Sequence, residues 1–357
     1  MKIVKEAACA IALLLVVTGT PSADEVDPCE VHSKAAPRLC SYEPTTIGYT
    51  HDSDDAGFMD FLVSVKYQLF PVWLTRGQNY FWSGIGDNSA LYFAFTGRFG
   101  QYIGSRDSSP VVGKRFNPKL FYQYRYGEGY ENHVAVAYAH ESNGQSIDSL
   151  AEYQTALANN GDSNAVKDQL SRGWDYAEIV WKNILYQSED KAQRTAPCDS
   201  AACQQDFCGN DECKKALCES DFCTGGRHKE DRRTTVVLYV DLKQFMRNGL
   251  LQGPQENYNA WENDSEGKNR DRVNGIAVMV KWIEQGKFGI LEDLKVVTRF
   301  ETGYREAFRY NTYRFEVGTK VLQLPLTVWG QTGYNSDLAL YYKKVDSWGI
   351  AAEIGSF

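Results

Sequence analysis

From residue 45 onward, apolar and polar residues alternate along stretch after stretch, each bounded by a polar turn. A strand points successive side chains to opposite faces, so period-two alternation predicts strands with one apolar and one polar surface. Val63, Val65, Tyr67 and Leu69 share one face; Ser64, Lys66 and Gln68 share the other. The pattern recurs at Leu91, Phe93 and Phe95, and at Leu120, Tyr122, Tyr124 and Tyr126. It returns at Val236 to Val240, Ile276 to Trp282, Leu294 to Thr298, Tyr313 to Val317, Leu324 to Val328 and Trp348 to Ile354. The opposite faces carry charge, as at Lys295 and Arg299, or Arg314, Glu316 and Lys320. A soluble β-sandwich shares this alternation. Charged inner faces and aromatic residues near strand ends, in a chain carrying an export signal, favour a barrel whose apolar surface meets lipid. The expected fold is therefore all-β, an antiparallel transmembrane β-barrel of roughly twelve strands. A terminal aromatic, Phe357, fits such a barrel, although it is out of phase with Trp348 to Ile354.

The N-terminus reads as a secretory signal over residues 1–23. Lys2 and Lys5 supply positive charge, Ala7 to Val17 an apolar core, and small residues follow. After it, no apolar run is long enough for a membrane-spanning helix. Residues 24–44, with Cys29 and Cys40, form an N-terminal periplasmic segment, and residues 45–357 the barrel domain. The formal net charge of -8 argues against a nucleic-acid partner.

Two insertions interrupt the strands. Ile147 to Leu170 has helical composition. A cysteine-rich insert at about 188–233 holds Cys198, Cys203, Cys208, Cys213, Cys218 and Cys223, always five residues apart. Zinc sites use close pairs such as C-x-x-C, so in an exported chain these cysteines are expected to form disulfides.

Chemistry gathers at His133 to Ser146, HVAVAYAHESNGQS. As a strand, one face carries Val134, Val136, Tyr138, His140 and Ser142, and Asn143-Gly144 ends it in a turn. A serine is a weak nucleophile until a base takes its proton, and His140 shares its face two residues away. The base needs an orienting group on its other nitrogen. On the next strand Asp175 heads an apolar face continued by Ala177, Ile179 and Trp181. Ser142, His140 and Asp175 would then lie on the lipid-facing wall, within reach of a lipid acyl ester. His51-Asp52-Ser53 repeats the H-x-S spacing as a decoy, without Asn-Gly after it. His133 is expected to face inward and to hydrogen-bond there.

His140-Glu141-Ser142-Asn143-Gly144-Gln145-Ser146 resembles the H-[DE]-S-N-G-x-S element of the outer-membrane phospholipase A family. Ser171-Arg172-Gly173-Trp174-Asp175 is similar to that family's S-R-x-W-N element. Ser108-Ser109-Pro110 and Phe116-Asn117-Pro118-Lys119-Leu120-Phe121 resemble two more of its elements. The resemblance implies a twelve-stranded barrel, an outer-membrane hydrolase of phospholipid acyl esters (phospholipase A1/A2 and lysophospholipase), and calcium-dependent activity in a homodimer. It implies a triad at His140, Ser142 and Asp175, and an oxyanion amide at Gly144. It implies calcium ligands at Gln145, Ser171 and, from a second copy of the chain, Ser108. Asp175 stands where the family has asparagine. Either side chain offers an acceptor for the histidine, so Asp175→Asn is expected to stay active. The insertion between Gln145 and Ser171 separates two of the calcium ligands in sequence. A porin or adhesin without catalysis, or a lipid A deacylase, are the alternatives.

Overall fold

The structure is a computed structural model that describes residues 39–53, 57–69, 88–103, 111–127, 132–160, 163–190, 232–246, 249–252, 269–288 and 291–354. Residues 1–38, Ser108, the six evenly spaced cysteines and Phe357 lie outside the described residues. Cys40 is buried and disulfide-bonded.

The alternating stretches become strands of one antiparallel sheet. In chain order they are β1 (Leu39–Cys40), β2 (Thr46–Asp52), β3 (Gly57–Gln68), β4 (Ser89–Tyr102), β5 (Val112–Tyr126), β6 (Asn132–Ser142) and β7 (Gly173–Asp190). Then follow β8 (Arg232–Phe245), β9 (Gly275–Phe288), β10 (Leu291–Gly303), β11 (Thr312–Val321), β12 (Leu324–Gly333) and β13 (Val345–Glu353). From β2 to β13 each strand pairs with the next, and β13 pairs back onto β2, closing a barrel of twelve strands. Closure joins the two edge strands of the twelve-stranded sheet to each other, the condition for crossing lipid with strands. The two-residue β1 adds to β3 through Leu39↔Tyr67 and Cys40↔Lys66, beyond the reach of β2. Among the described residues no helix is long and apolar enough to cross a membrane.

The two faces separate as the alternation requires. Val63, Phe93, Leu120, Val136, Ile179, Val280, Phe315, Val328 and Trp348 are exposed on the outside. So large an apolar surface is untenable in water and suits lipid. The inside holds buried charge: Lys66, Lys119, Arg125, Glu141 and Glu178. Lys119 donates to Glu178, whose other oxygen lies 3.4 Å from Lys243. Pairing of this kind offsets the cost of burying ions.

The two ends of the barrel differ. β2 starts and β13 ends at one, where the Ile354 amide donates to Thr45. β7 finishes and β8 begins at that same end, so the cysteine insert is attached there. β6 finishes and β7 begins at the other end. Between them the Ile147–Leu170 insertion forms α1 (Leu150–Asn160) and α2 (Ser163–Lys167). Ile147, Val166 and Leu170 pack on Ala339. A short helix, α3 (Arg270–Val273), joins Trp174, Tyr310, Leu338 and Tyr341 in an apolar cluster across the barrel mouth.

Candidate active site

The site stands at the insertion end, on the outer wall. The β6–β7 register pairs His140 directly with Asp175, and Ser142 with Gly173. His140 Nδ1 lies 2.6 Å from Asp175 Oδ1. Asp175 belongs to the outward face, yet it is 0% exposed. Three further groups enclose it. The Tyr138 hydroxyl donates to Oδ2, and the Leu251 amide donates to the same oxygen at 2.7 Å. The Leu250 amide donates to the Tyr138 hydroxyl, also at 2.7 Å. Gly249 presses on the carboxylate so closely that a Cβ there would lie 1.9 Å from Oδ2.

Proline shapes the other flank of His140. In β5 the regular register with β6 resumes only at Lys119↔Ala139, after Phe116↔Ser142. Pro118 has no amide hydrogen to contribute to the ladder. The Asn117 side chain occupies the gap, donating to the His140 carbonyl and to the Tyr176 hydroxyl, both at 2.8 Å.

The turn after Ser142 is held by Asn143, 1% exposed. Its Nδ2 donates to the Leu170 carbonyl at 2.6 Å, and its Oδ1 accepts from the Arg172 amide at 2.8 Å. The Asn143 amide donates to the Arg172 carbonyl, the Ile147 amide to Gln169, and the Ser171 amide to Ile147. Gly144 turns the chain with φ +62°, a left-handed conformation that costs glycine little. Residues 143–147 and 169–172 therefore run side by side. Gln145 and Ser171, separated in sequence by the insertion, stand on these two facing segments. The backbone carbonyls of both residues and the Ser171 hydroxyl are hard, neutral oxygens of the kind calcium takes. The insertion folds away as α1 and α2 and leaves this pairing intact. Ser108 is outside the described residues.

Behind the strand, on the inside, Glu141 accepts from Arg270 Nε at 3.0 Å and Nη2 at 2.5 Å. The Arg270 guanidinium lies over Trp174 and Tyr341 and also donates to Asn335. Asn335 accepts from Arg115 and donates to Glu301. The wall beneath His140 and Ser142 is thus tied to the barrel mouth by buried charge.

The decoy is separate. Ser53 Oγ accepts from the Asp346 amide at 3.2 Å, and His51 packs against Trp348. That makes Ser53 a turn residue at the end of β2, bonded to the start of β13. His133, expected to hydrogen-bond inside, has its Nδ1 buried with no hydrogen-bond partner among the described residues. Sequence reasoning missed Tyr138, Asn117 and the Gly249–Gln252 strap. Tyr138 does share the face of His140 and Ser142, which was a usable signal; backbone amides of a distant strap leave none.

A closed twelve-stranded antiparallel barrel, apolar outside and charged within, is the architecture of outer-membrane β-barrel proteins. More particularly, the fold is that of outer membrane phospholipase A. The Escherichia coli enzyme's structure matches with TM-score 0.50 and 13% identity, covering 89% of this chain and 98% of that one. An active-site mutant of the same enzyme at pH 6.1 matches with TM-score 0.52 and 13% identity, over 92% and 96% of the two chains. The Salmonella typhi phospholipase, crystallised as a dimer with bound calcium, matches with TM-score 0.53 and 13% identity, over 94% and 99%. No family model matches the sequence. No curated protein matches it either.

Proposed function

We propose that this protein is a calcium-dependent outer-membrane phospholipase that hydrolyses phospholipid acyl esters as a homodimer. The observation that carries the proposal is the His140–Asp175 hydrogen bond at the edge of the apolar outer wall, with Ser142 two residues on. The fold shared with outer membrane phospholipase A supports it. The buried charge filling the barrel interior argues against a wide aqueous pore. Membrane phospholipid is the substrate class this reading takes, because His140 and Ser142 continue the outward face that carries the exposed Val136, with Asp175 buried behind His140.

Asp175 holds His140 through Nδ1, leaving Nε2 to take the Ser142 proton. Ser142 Oγ attacks the ester carbonyl carbon, and the Gly144 amide donates to the oxyanion. His140 returns the proton to the departing lysophospholipid oxygen. Water, deprotonated by His140, then releases the fatty acid and restores Ser142. Calcium held by Gln145 and Ser171, with Ser108 from a second copy, would supply positive charge beside that oxyanion.

The test is fatty-acid release from phosphatidylcholine in mixed micelles by the refolded protein. Ser142→Ala should be inactive while keeping a heat-modifiable barrel, and Ser53→Ala should be fully active. Activity that survives Ser142→Ala and disappears in Ser53→Ala would overturn the assignment.

A further inference from the structure

We propose that Tyr138 and the strap Gly249–Gln252 form a donor clamp that requires a carboxylate, not an amide, at position 175, so that Tyr138 is a positioning residue for His140. The inference rests on the hydrolytic role proposed above for Ser142 and His140.

The donors around Asp175 decide its chemistry. Oδ1 meets His140 Nδ1, while Oδ2 receives the Tyr138 hydroxyl and the Leu251 amide. The Tyr138 oxygen already accepts from the Leu250 amide, which leaves its proton to be donated to Asp175. A carboxylate has acceptors on both sides and satisfies every donor. An amide has an acceptor on one side only. With its oxygen toward His140, its NH2 would face the Leu251 N–H, two donors in a buried place. With its oxygen toward Tyr138 and Leu251, its NH2 would face His140 Nδ1. The imidazole would then have to accept at Nδ1 and carry its proton on Nε2, the nitrogen required as the base. Two donors favour the second orientation over the first. On this donor set Asp175→Asn is expected to lose activity, the opposite of the outcome expected from sequence.

The clamp is also sterically closed. Any side chain at Gly249 would overlap the Asp175 carboxylate, with a Cβ 1.9 Å from Oδ2 and 2.1 Å from Cβ. Gly249 is thus needed for the strap to lie against the acid and bring its two amides into range. The side chains of Leu250 and Leu251 project outward and are exposed.

The experiment compares four refolded proteins: wild type, Asp175→Asn, Tyr138→Phe, and the double variant. Wrong-tautomer trapping in serine hydrolases costs about 10⁴ in kcat, so Asp175→Asn should lose about 10³–10⁴-fold in kcat with KM little changed. Tyr138→Phe should lose about tenfold, from one weakened acceptor. The double variant should be more active than Asp175→Asn alone, because removing one donor relaxes the bias toward the wrong orientation. A purely structural role for Tyr138 would make the double variant worse. Histidine 15N spectra, with His140 assigned by its loss in His140→Gln, add a readout independent of turnover. Nδ1 should be protonated in wild type and unprotonated in Asp175→Asn. An Asp175→Asn variant with near wild-type kcat, or an unchanged His140 tautomer, would overturn the clamp. If instead wild type and Ser142→Ala were equally inactive, the proposed function would fail while the spectra still judged the clamp.

Discussion

Asn143→Ala is the perturbation that tests how the turn after Ser142 is built. The side chain bridges two segments, donating to the Leu170 carbonyl and accepting from the Arg172 amide. Truncation strands both backbone groups at a place where Asn143 itself is 1% exposed. A buried polar group left without its partner costs about 1–3 kcal/mol, so two give about 2–6 kcal/mol. Water entering the small cavity would soften this, and about 2 kcal/mol, roughly thirtyfold in an equilibrium, is the expected size. The loss falls on the pairing of residues 143–147 with 169–172, because no barrel ladder bond runs through the Asn143 side chain. If Gln145 and Ser171 hold calcium and the pairing is near balance without it, the calcium concentration for half-maximal activity should rise about tenfold or more, since only the paired state binds. The barrel's unfolding temperature should stay within a few degrees of wild type. Calcium titration of fatty-acid release, alongside heat-modifiability on gels, measures both. Thr155→Ala serves as the control, since among the described residues its hydroxyl bonds within α1, to the Ala151 carbonyl. Unchanged calcium half-saturation in a folded Asn143→Ala protein would refute the reasoning.

Three further outcomes are expected. Excess chelator should abolish fatty-acid release and leave the barrel heat-modifiable, and full activity in chelator would remove calcium from the proposal. Mass spectrometry without reduction should find no free thiol among Cys198, Cys203, Cys208, Cys213, Cys218 and Cys223, and deleting Cys198 to Cys223 should spare activity, because β7 ends and β8 begins opposite Ser142. Stoichiometric zinc in the purified protein would count against the disulfides.

What could be read from sequence was whatever repeats locally. Side chains alternate across a strand by covalent geometry, so Leu120 to Tyr126 and Ile276 to Trp282 announce their strands without any knowledge of neighbours. The same periodicity put His140 and Ser142 on one face and Asp175 on the outward face of the following strand. The insertion's helices were likewise legible in composition. Register was not. That His140 stands directly opposite Asp175 depends on a turn and a long insertion, and a slip of one residue would have sent the acid inside. Nor did the sequence show why Asp175, on a lipid-facing wall, is fully buried. Its cover is the Gly249–Gln252 strap, whose hydrogen-bonding groups are backbone amides, identical in every residue but proline. Asn117 beside Pro118 stood in a quoted motif, but its part in repairing the ladder at His140 needed the paired strands. Local alternation therefore determined the strands and their faces. Barrel closure and long-range backbone donors determined which groups meet Asp175, because those contacts join segments that no short-range pattern relates.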